Sequence, residues 1–101
     1  MPDRDSLPVI YSGRSFENTT EIKGYLLLHF TQREVDKLYA LLQSFERVVT
    51  VFPDLYPKSI KNKKMHRAVL SKQLSVFYTV SKKAITIVSI MDNRMAYTRW
   101  P

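Results

Sequence analysis

The stretch Thr31–Pro53, TQREVDKLYALLQSFERVVTVFP, carries apolar side chains at Val35, Leu38, Leu42, Phe45, Val49 and Phe52. Steps of three and four residues place these on one side of an α-helix. Pro53 ends it, because proline has no N–H to give and its ring clashes with the preceding turn. Thr31-Gln32-Arg33-Glu34 has capping-box spacing, so the Thr hydroxyl and the Glu carboxylate are each expected to satisfy a free N–H of the first turn. A helix with one continuous apolar stripe needs a second layer to bury it, and the flanking sequence supplies that layer.

Upstream, Phe16, Thr19, Ile22, Leu26 and Phe30 recur at helical spacing, with Tyr25 and His29 beside them and Ser12 or Ser15 as the cap. Only Phe30 and Thr31 separate the two helices, so they fold back as a hairpin with a shared apolar face. Val9-Ile10-Tyr11, ended by Ser12-Gly13, reads as a short opening strand, and residues 1–8 as a tail ahead of a single domain over residues 9–101. Downstream, Asp54-Leu55-Tyr56-Pro57 is a turn and Lys58–Lys64 a basic loop.

Three β-rich runs follow, His66–Leu70, Leu74–Val80 and Ala84–Met91, joined by Ser71-Lys72-Gln73 and Ser81-Lys82-Lys83, loops short enough for antiparallel hairpins. In the last run Ile85, Ile87 and Ser89 alternate with Thr86, Val88 and Ile90, so both faces are largely apolar and the strand is central. The expected fold is α+β: a short N-terminal strand, an α-helical hairpin, then three antiparallel strands forming a small twisted sheet covered on one face by the helices. The other face, rich in Lys and Arg at its loops, makes a shallow basic groove suited to a macromolecule rather than to a small-molecule substrate.

Charge sharpens that expectation. Of the formal +7, Met1–Asp54 holds eight acids and six bases, whereas Leu55–Pro101 holds ten bases and one acid. Leu55–Met91 has eight Lys or Arg and no carboxylate. Such a field concentrates anionic partners, nucleic acid or an acidic protein segment, although a solvated lysine face also keeps a domain soluble. With 101 residues and 45% apolar content there is material for one core. The absence of cysteine excludes disulfides and thiolate chemistry. His29 and His66 are the only imidazoles, so no metal and no cofactor are expected. No apolar run approaches the roughly 20 residues that span a bilayer, and no secretion signal is seen, so the expected place is the cytoplasm, with no membrane partner.

Several strings, taken in order, resemble the RelE/ParE superfamily, the toxins of bacterial type II toxin–antitoxin modules, often labelled plasmid stabilization proteins. They are Val9-Ile10-Tyr11-Ser12, Phe52-Pro53-Asp54-Leu55-Tyr56-Pro57, Leu74-Ser75-Val76-Phe77-Tyr78-Thr79-Val80 and, most telling, Ile85-Thr86-Ile87-Val88-Ser89-Ile90-Met91-Asp92-Asn93-Arg94. The resemblance spans Val9–Pro101. It implies growth inhibition relieved by an acidic antitoxin encoded by an adjacent gene, with DNA gyrase as target in the ParE-like branch and ribosome-bound mRNA in the RelE-like branch.

For the RelE-like branch, an mRNA endoribonuclease that uses no metal, the resemblance assigns catalysis to Lys61, Lys63, Lys64, Arg67, Arg94 and Tyr97. Cations stabilise charge growing on the phosphate, and a base and an acid serve the 2′-hydroxyl and the leaving oxygen. Antitoxin or nucleic-acid contact falls to Lys58, Lys61, Lys63, Lys64, Arg67, Lys72, Arg94 and Arg99. Ser75 stands where RelE-like enzymes carry an arginine, so the cation set is short by one unless Arg67 or Lys72 replaces it. That departure and the long helical hairpin favour the ParE-like branch, which needs a binding surface and no catalytic set. A non-toxic relative keeping only the fold and antitoxin binding is the remaining alternative. On bland readings, Asp92-Asn93-Arg94 is a turn, Phe77 and Tyr78 are structural on opposite faces, and His66 and His29 are structural histidines.

Overall fold

The second helix sets the layer order, since its stripe must find an apolar sheet. In the computed structural model, which describes residues 6–95, the elements are β1 (Val9–Tyr11), α1 (Gly13–His29), α2 (Gln32–Val49), β2 (His66–Val69), β3 (Leu74–Val80) and β4 (Ile85–Asp92). Val35, Leu38, Leu42, Phe45 and Val49 of α2 join Ile22 and Leu26 of α1 against Ala68, Leu74, Val76, Tyr78, Ile85, Ile87 and Ile90 of the sheet. Both helices therefore cover one sheet face, as expected.

The sheet itself corrects the expectation of three antiparallel strands. It has four, in the order β1-β4-β3-β2. β1 runs parallel to β4, with Val9 beside Ile85 and Tyr11 beside Ile87, while the β2–β3 and β3–β4 pairs are antiparallel. An apolar strand with a bare edge invites aberrant pairing, and β1 closes the edge of β4 that β3 leaves open. Leu7 and Pro8 already belong to this arrangement. The Leu7 N–H donates to the Thr50 carbonyl at 3.0 Å, the Thr50 hydroxyl donates back to the Leu7 carbonyl, and the Ile85 N–H donates to Pro8 O at 2.9 Å.

A bulge in β4 corrects the expected alternation. Phe77 pairs with Ser89 but Tyr78 pairs with Ile87, leaving Val88 as an extra residue. One inserted residue reverses the faces beyond it, so Ile90 joins Ile85 and Ile87 under the helices instead of opposing them. Beyond the end of β1, α1 supplies the missing partners. Ser12 Oγ donates to the Val88 carbonyl at 2.9 Å, and Asn18 Oδ1 accepts from the Ile90 N–H at 3.0 Å.

The helix ends meet expectation at Ser12 and differ from it elsewhere. Ser12 is the cap of α1, its Oγ accepting from the Ser15 N–H at 3.0 Å. Thr31 occupies the cap position of α2 but makes no side-chain cap bond, and Glu34 is turned toward Arg94. The stripe of α2 stops with Val49, and Phe52, 63% exposed, lies beyond it. On α1 the buried line is Ser15, Ile22 and Leu26, which leaves Phe16 and Phe30 exposed.

The second sheet face is less open than the sequence suggested. Ser75, Phe77, Ser89 and Met91 alternate with the core residues of β3 and β4, and all four are buried. Phe77 and Tyr78 are both structural and face opposite ways, as expected.

Candidate basic interface

The basic loop is positioned from beneath by an aromatic cluster. Tyr78 packs edge-on to Phe45 at 5.4 Å, and its hydroxyl donates to the Pro53 carbonyl at 2.8 Å. Burial pushes that phenol up to about 12. The His66 ring stacks on Tyr78 at 4.9 Å, with Nδ1 2.7 Å from the Tyr56 carbonyl and Nε2 3.6 Å from Asp54. His66 thus ties the turn at Asp54–Tyr56 to the start of β2, the structural role anticipated for it.

From there the chain runs back along the outer edge of β2. The Arg67 N–H donates to Pro57 O at 2.8 Å, Ser59 N–H donates to Met65 O at 2.7 Å, and Lys58 forms a β-bridge with His66. Asn62 closes the tip, its side chain accepting from the Lys64 N–H and its carbonyl from the Met65 N–H, both at 3.0 Å. The result is a concavity of about 400 Å³ between the loop and β2, with Lys58, Lys61 and Arg67 as its cations and Pro57, Ile60 and Val69 as its apolar surface. Ile60 is 93% exposed and Val69 57%.

The structure brings Lys58, Lys61 and Arg67 together at this concavity. Lys63 and Lys64 are exposed at the tip of the same loop, outside the lining, and Lys72 is exposed in the β2–β3 turn. Arg67 Nη2 comes within 3.4 Å of Ser75 Oγ, with its guanidinium 6.0 Å from the Phe77 ring centre. A cation from the neighbouring strand therefore stands beside Ser75. Tyr97 and Arg99 lie outside the described residues.

Arg94 is elsewhere. Its Nε and Nη2 donate to the two Asp92 carboxylate oxygens at 2.9 and 2.6 Å, and Nη1 donates to Glu34 at 2.7 Å. Its guanidinium also lies 5.2 Å from the Phe30 ring centre. These carboxylates hold its pKa above the ordinary arginine value, Asp92 contributing most and burial opposing. Asp92 pairs with Leu74, whose side chain belongs to the helix-covered core, whereas Arg67 pairs with Phe77 on the other face. The two arginines thus act on opposite sides of the sheet. Glu34 as a partner of Arg94 was not anticipated, and no local pattern signals a pair sixty residues apart. Ile60 was also passed over, although a lone aliphatic residue in a lysine loop was visible.

A second concavity, about 330 Å³, opens between the helices at Tyr11, Phe16, Tyr39, Leu42 and Glu46. Tyr11 donates to Glu46 there at 2.7 Å, and burial together with this bond raises the phenol above its usual range. Among the described residues no helix is long and apolar enough to cross a membrane.

No protein-family model and no curated protein matches the chain. Solved structures do. A chain of the chromosomal ParDE TA system from P. aeruginosa superposes with a TM-score of 0.72 at 11% identity, covering 87% of this chain and 97% of that one. The conserved hypothetical protein HP0894 from Helicobacter pylori reaches 0.59 at 14% identity over 90% of this chain and 99% of its own. The YoeB dimer structure from Staphylococcus aureus gives 0.52 at 21% identity over 91% and 99%. The chain has the RelE/ParE-like fold that the sequence resemblance implied.

Proposed function

We propose that this protein is the toxin of a type II toxin–antitoxin module, that it acts in the cytoplasm as a ParE-like inhibitor of DNA gyrase, and that an acidic antitoxin from an adjacent gene relieves it. The observation that carries the reading is the match over nearly the whole chain to a member of a ParDE TA system. Arg94 adds weight. A guanidinium whose two edges are occupied by Asp92 and Glu34 has little left to offer a phosphate in the transition state, which counts against the catalytic set of the RelE-like branch.

One observation favours the RelE-like ribonuclease as a second reading. Arg67 sits beside Ser75 and shares a concavity with Lys61, so the missing cation has a substitute.

Induction of the protein alone in a bacterium, with transcript 5′ ends mapped as growth slows, separates these. Growth arrest with intact transcripts, loss of gyrase supercoiling with purified protein, and rescue by the adjacent reading frame are the expected results. New 5′ ends inside translated codons would establish the ribonuclease instead. No arrest, with antitoxin binding retained, would identify a non-toxic relative.

A further inference from the structure

We propose that the concavity lined by β1, α1 and α2 is a binding site for a small aliphatic ammonium ion, which sets its charged head on Glu46 and its alkyl stem against Phe16 and Leu42. The surface is made by other elements than the basic loop, and its occupancy stands or falls apart from the toxin reading.

The hydroxyl hydrogens around this space are already committed. Tyr11 Oη donates to Glu46 Oε2 at 2.7 Å, Thr19 Oγ1 to the Ser15 carbonyl at 2.9 Å and Thr20 Oγ1 to the Phe16 carbonyl at 3.2 Å. A hydroxyl has a single hydrogen to give, so all three of these lining residues offer a ligand lone pairs only. Burial and the Glu46 bond raise the Tyr11 phenol above its usual range, so its proton stays in place through neutral pH. The Glu46 carboxylate has roughly four acceptor positions, and Tyr11 occupies one of them. Acceptors therefore dominate the polar part of the lining, with Tyr39 and Gln43 able to serve as either partner. An ammonium, which has three donors and no acceptor, complements that set, and an anion is repelled by it.

Burial of the carboxylate separates a cation from a neutral ligand. Glu46 is half-buried, and Arg47, next to it in the chain, is exposed and donates to Ser44. A neutral apolar molecule filling about 330 Å³ beside Glu46 would strip water from the carboxylate and return no hydrogen bond. An ammonium replaces the lost water with charge-assisted hydrogen bonds.

The remaining lining separates an organic cation from an inorganic one. Tyr11, Phe16 and Tyr39 contribute aromatic rings, whose faces attract a cation, and Leu42 adds aliphatic surface. Phe16 is 68% exposed, so an alkyl stem laid against it removes apolar area on both partners. A hydrated metal ion leaves that area uncovered, and among the described residues no group of three His, Cys, Asp or Glu could hold one.

Amide proton–nitrogen correlation spectra of the full chain, titrated with n-butylammonium, n-butanol and n-butyrate, test the site. At about 0.15 M sodium chloride, screening over about 8 Å limits the repulsion of a cation by the protein's remote positive charge and spares the contact at Glu46. The ammonium is expected to shift the amides of Thr19, Thr20 and Gln43 with a Kd of the order of a millimolar, the alcohol to bind about tenfold more weakly, and butyrate not to bind. Glu46→Gln keeps an oxygen for the Tyr11 proton and removes the charge, so it should bring the ammonium down to the level of the alcohol. Phe16→Ser should weaken both alike, and because Phe16 is on the surface an unchanged thermal melt will show that the fold is intact. No shift with the ammonium, equal binding of ammonium and alcohol, or an ammonium preference that survives Glu46→Gln would each overturn the proposal. Should Glu46→Gln lose the parent's melt, the ranking of the three probes on the parent decides.

Discussion

The Arg94 guanidinium uses both edges of its fork, one on Asp92 and the other on Glu34, and so fastens the end of β4 to the first turn of α2. Asp92 is fully buried, whereas the Arg94 and Glu34 side chains are 22% and 25% exposed, so water can re-enter only part of the cluster if the arginine is removed. Arg94→Ala takes the guanidinium away from a buried carboxylate that keeps the residue-94 N–H, and should cost about 2–4 kcal/mol of stability, read as a lower urea midpoint. Arg94→Lys should recover little of it, because an ammonium cannot satisfy both Asp92 oxygens and reach Glu34. An Arg94→Ala midpoint equal to the parent's would show that the cluster adds nothing to the fold. Tyr78 makes a different prediction. Its folded pKa, about 12, exceeds the unfolded value of 10.0, so the folded state keeps a proton that the unfolded chain loses. Its contribution is complete below pH 10.0 and disappears as pH rises toward 12. Melting temperatures measured across that window should fall more steeply for the parent than for Tyr78→Phe; parallel curves would refute the coupling.

The two helices start with similar-looking sequence signals and differ in what those signals do. Ser12 Oγ accepts from the Ser15 N–H and donates to Val88 O, so it closes the first turn of α1 and the bulge of β4 together. Thr31 makes no side-chain cap bond, the Glu34 N–H going to its carbonyl at 3.0 Å, and Glu34, the other half of its box, is drawn to Arg94. Ser12→Ala should therefore cost about 1–2 kcal/mol and Thr31→Ala no more than about 0.5 kcal/mol in chemical denaturation, and equal losses would contradict this account. What was legible in the sequence follows the same division. The α2 stripe from Val35 to Val49 was readable because helical period is local, and so were the turns that separate β2, β3 and β4. The bulge at Val88 was not, since it exists only relative to Phe77 and Tyr78 on the neighbouring strand. β1 as a partner of β4 was likewise invisible, being three residues long and joined to its neighbour only through tertiary contact. At the candidate site the lysine loop stood out by composition, while its convergence with Arg67 depended on Pro57 returning along the edge of β2.

Across the whole molecule, sequence charge becomes a spatial division. The helical hairpin carries Glu17, Glu21, Glu34, Asp36 and Glu46 balanced by Arg14, Lys23, Arg33, Lys37 and Arg47, while Lys58, Lys61, Lys63, Lys64, Lys72, Lys82 and Lys83 lie on the loops that bound the sheet. An acidic partner approaching such a body is steered to the sheet side, and the rate of encounter records where the field is strongest. Net charge and local charge can be separated by two variants of equal total charge. Lys58→Glu with Lys61→Glu reverses two cations at the concavity, and Lys82→Glu with Lys83→Glu reverses two exposed cations in the β3–β4 turn. In stopped-flow association with the product of the adjacent reading frame at low ionic strength, the first pair should slow binding by about tenfold or more and the second by only about two- to threefold. Added salt should narrow the gap, since screening at 0.15 M already acts over about 8 Å. Equal slowing by both pairs would mean that the overall positive charge alone attracts the partner; a larger effect at Lys58 and Lys61 locates the encounter at the loop, where these cations flank a concave surface.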